Sequence, residues 1–371
     1  MNHKLCNKVN TIGRNIRLTT FGESHGPAMG GVLDGLPAGV SIDMERVQRM
    51  LERRRTGLTA LTSQRREEDR PEVLSGISAD GRTLGSPIGF IFRNSDARSG
   101  DYKEIEDLYR PSHADYTYDL RYGLRDPRGG GRASARDTVN WVMGGALAME
   151  WLSALGISIE AKVVAVGTAG YRDLLWQLGE AGADAELPDD PLVEGDMLEE
   201  VAEAKREGDS VGGMVCCLVK GMTAGCGAPQ FGKMQSRLAA AMLSINAARS
   251  FEYGLGAGSA EVRGSDYMDN FYEGFEPAPF ESNRSGGALG GITTGMPIFF
   301  QVAFKPTPTI GRPVGLADKE GHIREAVVKG RHDPCVALRA PVIVEAMTAL
   351  TLADMLMEKS EVRSQRSEVE F

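Results

Sequence analysis

The chain has 371 residues, 42% of them apolar and 6% aromatic, with 42 Lys and Arg against 51 Asp and Glu and a formal net charge of −9. That length builds one large domain or two ordinary ones with a full core, and the acidic balance excludes general binding to nucleic acid or to an anionic membrane. Cys6, Cys216, Cys217, Cys226 and Cys335 form no C-x-x-C pair; neither a disulfide framework nor a metal site is expected, and with no signal-like or membrane-length apolar run the expected setting is cytoplasmic and reduced.

Ile16 to Phe21 reads as a strand, and Gly22-Glu23-Ser24-His25-Gly26-Pro27 follows as a tight turn that presents an imidazole. Gly22 to Gly26 matches G-x-S-x-G, but the strand–elbow–helix setting of a serine hydrolase is missing. Val32 to Pro37 is a strand and turn, and Asp43 suits an N-cap for a helix carrying Met44, Val47 and Leu51. Arg46, Arg49, Arg53, Arg54, Arg55, Arg65 and Arg66 form the first of three basic groups. Nearly all are arginine, the residue suited to two-point recognition of carboxylate and phosphate.

Pro87 to Phe92 is strand-like, and the polar loop Arg110 to Tyr118 holds His113 among aromatics and charges. The second basic group is Arg121, Arg125, Arg128, Arg132 and Arg136. Within it, Gly129-Gly130-Gly131 leads to a helix capped by Asp137, with Val139, Val142, Met143, Ala146 and Leu147 on one face and a stop at Gly156. Free backbone N–H groups, glycine and flanking arginines make an anion site there, although it is neither a Walker motif nor G-x-G-x-x-G.

Ile157 to Val166 and Val211 to Val219 are further strand runs. Between them, Tyr171 to Ser210 holds thirteen carboxylates against three bases, which leaves the rest of the chain near neutral. Pro188 and Pro191 bracket a turn there, Met197, Leu198 and Val201 offer a weak helical stripe, and the segment reads as an acidic surface excursion at about 171–210. Met234 to Ala248 is helical in pattern, and Gly286 to Gly295 is rich enough in glycine for close approach to a flat or phosphorylated ligand. Pro297 to Phe304 is a strand leading into Lys305-Pro306-Thr307-Pro308-Thr309, a rigid loop with one ammonium and two hydroxyls. Arg324, Lys329, Arg331 and Arg339 form the third basic group, His332 and Asp333 lie beside Arg331, and Ala346 to Met357 closes the chain as a helix. Because strand runs follow one another, an α+β fold with largely antiparallel sheets is expected over a doubly wound one. No repeat or linker divides residues 1–371, so one domain is expected.

Three signatures in this order resemble the chorismate synthase family: Gly22-Glu23-Ser24-His25-Gly26 with Asp34-Gly35-Leu36-Pro37, Gly131-Arg132-Ala133-Ser134-Ala135-Arg136, and Arg331-His332-Asp333-Pro334 with Glu345-Ala346. The resemblance spans essentially the whole chain. It implies a β-α-β sandwich with helices between antiparallel sheets, assembled as a homotetramer. It implies 1,4-elimination of phosphate from 5-enolpyruvylshikimate 3-phosphate to give chorismate, the last common step towards the aromatic amino acids, with reduced FMN and no net redox change. NADPH is a candidate reductant, though external supply of reduced flavin is expected. The partner is a small anionic substrate, not nucleic acid or membrane.

By the same resemblance, His25 protonates the departing phosphate with Ser24 beside it, His113 protonates the reduced flavin's anionic edge, and Asp333 helps accept the ring proton. Arg54 and Arg136 take substrate, Arg54 being also a nucleotide anion contact. FMN is contacted by Arg132, Ala133, Ser134, Asn246, Ala247, Gly290, Lys305, Pro306, Thr307, Pro308, Thr309 and Arg331. Two departures stand out: Ala60 lies where many members carry a second arginine, and Ala133 replaces a frequent serine. Two other classes compete with this reading. A phosphate- or RNA-binding module on the 46–66 arginines would not need the histidines beside the glycine turns, and a flavin oxidoreductase would leave its substrate reduced.

Overall fold

The structure, a computed structural model, describes residues 10–55, 61, 67–94, 106–126, 130–328 and 333–369, with side chains described up to residue 359. The first sheet holds β1 (Thr11–Ile12), β2 (Arg17–Gly22), β3 (Ala28–Asp34), β4 (Glu72–Val73) and β5 (Ile88–Arg93) in the order β1-β2-β3-β5-β4, every pair antiparallel. The second holds β6 (Ser158–Val166), β7 (Ala169–Gly170), β8 (Gly213–Lys220), β9 (Ala248–Tyr253) and β12 (Ile298–Phe304) in the order β7-β6-β8-β12-β9, again antiparallel throughout. Two hairpins stand apart, β10 (Ala288–Leu289) with β11 (Ile292–Thr293) and β13 (Val314–Ala317) with β14 (Ile323–Ala326).

The helices are α1 (Met44–Arg54), α2 (Asp115–Tyr122), α3 (Thr138–Ala154), α4 (Leu174–Ala181), α5 (Pro191–Arg206), α6 (Met234–Leu243), the single turn α7 (Gly264–Tyr267) and α8 (Ala340–Val369). Between the sheets lies a layer built on α3 and α8; α3 meets β2 and β3, and α8 meets β6 and β8. A helix buried on all sides must be apolar on all sides, and α3 buries twelve of its seventeen residues. Gly144 and Gly145 set how closely it packs, since a Cβ on Gly145 would lie 2.4 Å from Ala346 of α8 and one on Gly144 would lie 2.8 Å from Leu18 of β2.

The strands show why one sheet is half-covered and the other fully covered. On β5 only Ile88, Phe90 and Phe92 turn inward, an alternation that buries one face. On β8 and β12, Val215, Cys217, Val219, Ile298, Phe300 and Val302 face the helix layer, while Cys216, Leu218 and Phe299 belong to a second apolar cluster. Leu174, Leu175 and Leu178 of α4 complete that second cluster with Ala185 and Leu187. The acidic segment thus carries apolar side chains that cover the sheet, and Met197 and Val201 of α5 are buried as well.

Several sequence expectations are corrected here. Asp137 stands at the N-terminus of α3 but does not cap it; its Oδ1 accepts from Arg132 Nη1 at 3.1 Å and Asn140 Nδ2 at 2.9 Å. The expected helix from Met234 to Ala248 ends at Leu243 with Ser244 as its C-cap, and Ala247, at a left-handed φ of 68°, then turns the chain into β9. Val336–Lys359, which includes the start of α8, has the length and mean hydropathy (1.6) of a membrane span, where the sequence reading expected none; 83% of that window is buried in the core.

Candidate functional site

A cavity of about 560 Å³ opens where α1, the two short turns before α3, the loop after α6 and the loop after β12 converge. Of the residues singled out from sequence, Arg54, His113, Ala133, Ser134, Arg136, Asn246, Ala247, Lys305, Thr307, Pro308, Thr309 and Asp333 line it. Arg249 and Arg339 add positive charge to the same wall, and Glu67 and Asp69 add carboxylates.

Each side chain is held by its own local structure. Asp115, first residue of α2, accepts Arg110 Nε and Nη2 at 2.8 Å each and the Arg110 backbone N–H at 3.1 Å, which closes the loop around His113. Ser112 in that loop has a left-handed φ of 58°, and its carbonyl accepts Lys305 Nζ at 3.4 Å. His113 Nε2 is 3.0 Å from Thr309 Oγ1, joining the loop to the one after β12. Burial, with Arg110 close by, pulls the imidazole down to about 4, so the ring is neutral at neutral pH.

Opposite, Asn246 Nδ2 donates to the Ala133 carbonyl at 2.8 Å, while Asn246 Oδ1 is buried without a donor among the described residues. Ser134 Oγ accepts the Arg136 N–H at 3.3 Å, ordering the turn that leads into α3. Asp333 is buried beside Arg339, whose Nε lies 3.0 Å from Oδ2 at an angle that makes an ion pair but no hydrogen bond. Burial pushes the Asp333 carboxyl up, and Arg339 opposes the rise. Arg54 and Arg136 both donate to Asp69, whose side chain is fully buried. Burial alone would raise the Asp69 carboxyl, yet the two guanidiniums hold it below its ordinary value.

Other expected residues are not brought into this cavity. The Arg132 guanidinium turns away, donating to Thr20 Oγ1 at 2.7 Å and to Asp137, and so braces β2 against the turn before α3. Gly290 sits at the tip of the β10–β11 hairpin and Pro306 is exposed; neither is among the lining residues. Arg331 and His332 lie outside the described residues, as do Ala60, Arg65 and Arg66. Ser24 and His25 occupy the β2–β3 turn, with Ser24 Oγ 2.9 Å from His25 Nδ1. That turn requires Gly22, because a Cβ there would come within 2.5 Å of the Ala28 carbonyl.

Asn94, after the end of β5, connects this turn to the cavity. Its Nδ2 donates to the Gly26 carbonyl at 2.8 Å and the Glu23 carbonyl at 3.2 Å, and its Oδ1 accepts Arg136 Nε at 3.4 Å. Sequence reasoning missed Asn94, Glu67, Asp69 and Arg249; each lies outside the motifs, and Glu67 and Asp69 fall in a polar run that reads as solvated surface. The seven-arginine group also divides: Arg54 and Arg55 reach the cavity, whereas Arg46, Arg49 and Arg53 pair with Glu150, Asp43 and Glu345.

A wall of guanidinium and ammonium groups around a neutral imidazole and a buried carboxyl suits a small polyanion undergoing proton transfer. Comparison with known proteins bears on which. A family model described as chorismate synthase matches residues 16–357. Curated chorismate synthases from Parabacteroides distasonis (46% identity, 94% of this chain and 98% of the relative) and Phocaeicola vulgatus (48%, 93% and 97%) align along nearly their full length. A crystal structure of a chorismate synthase superposes with a TM-score of 0.72 at 30% identity, covering 96% of this chain and 98% of the other.

Proposed function

The chain belongs to the chorismate synthase family and converts 5-enolpyruvylshikimate 3-phosphate to chorismate by phosphate elimination, and on that premise we propose that the cavity above is where it does so. The observation that carries this reading is the convergence of Arg54, Arg136, Arg249, Lys305 and Arg339 with His113 and Asp333 around one space of about 560 Å³. The substrate brings two carboxylates and a phosphate, so its charge matches that wall.

The family uses reduced FMN. The residues present fit such a group: the buried, donor-less Asn246 Oδ1 suits a ring N–H, and Lys305, Arg249, Thr307 and Thr309 suit its phosphate. When bound, reduced FMN supplies electron density to an elimination that has no net redox change.

The chain's own groups then divide the work. In the elimination a C–O bond to phosphate breaks, a ring C–H is lost and a C=C bond forms. Arg54 and Arg136 grip the anion, and His25, which lies outside the cavity lining and is linked to it through Asn94 and Arg136, is assigned by the resemblance to give the proton to the departing phosphate, its ring oriented by Ser24. His113, neutral and fixed by Thr309, holds a proton at Nε2 or takes one there as the charge beside it changes. Asp333 helps accept the ring proton, a role favoured by burial that raises its carboxyl.

The reductant is external in this proposal, since Arg54, the nucleotide anion contact offered by the resemblance, is assigned to the substrate anion here. The homotetramer is supported by apolar surface near the β10–β11 hairpin, where Phe231 is 96% exposed and Leu289 is 49% exposed. Light scattering is expected to give four times 39.9 kDa. A cytoplasmic setting is proposed from the four described cysteines, Cys216, Cys217, Cys226 and Cys335, all buried thiols.

Anaerobic turnover with substrate and photoreduced FMN tests the site. His25→Ala and His113→Ala are each expected to slow turnover greatly while FMN still binds; near-normal turnover in both sinks the assignment. Sustained turnover with oxidised FMN and NADPH would overturn the external reductant.

A further inference from the structure

An anion site has least reason to contain a carboxylate, yet Asp69 lies in this one. Its side chain is 0% exposed, and its backbone takes a left-handed φ of 50°. Its oxygens are divided: Oδ2 accepts Arg54 Nη2 and Oδ1 accepts Arg136 Nη1. The two arginines come from elements far apart in the chain, the last residue of α1 and the turn before α3, and their side chains are only 5% and 4% exposed. Two bare guanidiniums converging in so dry a place would repel each other and lose hydration with no return. The shared carboxylate removes both penalties. Each arginine still keeps a buried N–H with no acceptor among the described residues, Nε on Arg54 and Nη2 on Arg136, and both residues line the cavity.

We infer that Asp69 is a positioning residue of the substrate site: it locks Arg54 and Arg136 side by side, so that their remaining N–H groups meet an anionic oxygen of the substrate together. The inference rests on reading the cavity as the active site. It names the ligand class of this wall as a carboxylate or phosphate oxygen, taken by a pair of guanidiniums whose geometry is set before binding. Its opposite is a purely electrostatic role, in which a carboxylate in an anion pocket only weakens binding.

The two roles differ in sign for Asp69→Asn. The isosteric change makes the cavity more positive by one charge, so electrostatics alone lowers KM. Positioning raises KM, by about tenfold for one lost charged hydrogen bond, with a smaller change in kcat. Anaerobic turnover with photoreduced FMN, measured on wild type, Asp69→Asn, Arg136→Lys and the double variant, decides between them. Because Asp69 acts through the guanidiniums, its substitution is expected to add little once Arg136 is lysine. An unchanged or lower KM in Asp69→Asn, or full additivity in the double variant, overturns the inference. If Arg136→Lys itself leaves KM unchanged, the reading of the cavity fails and takes the inference with it; if only Asp69→Asn does, the cavity stands. Oxidised-FMN binding reports folding. Should Asp69→Asn fail to fold, Asp69→Glu keeps the charge and shifts the carboxylate: positioning again predicts a raised KM, and an unchanged KM overturns it.

Discussion

Asn94→Ala severs the connection between the His25 turn and the substrate arginine. The alanine removes donors from the Glu23 and Gly26 carbonyls, at 3.2 and 2.8 Å, and the acceptor from Arg136 Nε at 3.4 Å. At about 1 kcal/mol per hydrogen bond, the stability loss is about 2–3 kcal/mol. The backbone N–H of residue 94 still donates to the Pro27 carbonyl at 3.2 Å, so the hairpin stays in place while its tip loosens. A displacement of the order of 1 Å at a reacting group costs about a hundredfold in rate, and we expect a fall in kcat of that order. Asn94→Asp separates the two halves of the connection. It keeps an acceptor for Arg136 but sets a carboxylate against two carbonyls, so kcat should fall while KM holds. Single-turnover stopped-flow with photoreduced FMN, alongside urea denaturation, measures both quantities. Should Asn94→Ala keep kcat and KM within about twofold of wild type at full stability loss, the coupling argued from these contacts is wrong.

Two further outcomes follow from burial. Because His113 sits near 4 when folded against an ordinary 6.5, the unfolded chain binds the extra proton between those values; stability therefore falls as pH drops through that window, by about 3 kcal/mol. His113→Gln should remove that part of the slope between pH 7 and 4.5 in urea titrations, and identical slopes would refute it. Gly145→Ala forces a Cβ to 2.4 Å from Ala346 backbone and should cost about 3 kcal/mol or more, whereas Gly144→Ala meets only the flexible end of Leu18 and should come out near neutral, overpacking and helix propensity offsetting each other. Equal urea midpoints for the two variants would contradict the packing described.

The strands and α3 were legible because burial imposes a period, as at Ile88, Phe90 and Phe92. Ser134, Asn246 and the Lys305 to Thr309 loop were legible through motifs that the resemblance carried. Asp69 and Asn94 were not, since each acts through partners distant in the chain: Asp69 through Arg54 and Arg136, 15 and 67 residues away, and Asn94 through Gly26, 68 residues away. A local pattern has no access to such pairings. The same reason explains the arginines, where identical residues on one helix serve a cavity at Arg54 and an ion pair with Glu345 at Arg53. Whole-chain charge was the least informative quantity, because its negative excess lies on a segment distinct from the cavity wall.

The central layer also dictates an order of events during folding. Asp354 of α8 accepts the backbone N–H groups of Arg14, Asn15 and Ile16 at 3.0, 2.6 and 3.0 Å across 338 to 340 residues of chain. The turn that enters β2 is therefore fastened only once α8 is in place, and the inner face of the second sheet waits for α8 to cover β6 and β8. Until then the chain presents Val215, Cys217 and Val219 of the second sheet without the α8 layer that buries them. Closure of the central layer is thus a non-local step of folding, set by contacts between segments far apart in the chain rather than by any one helix or hairpin.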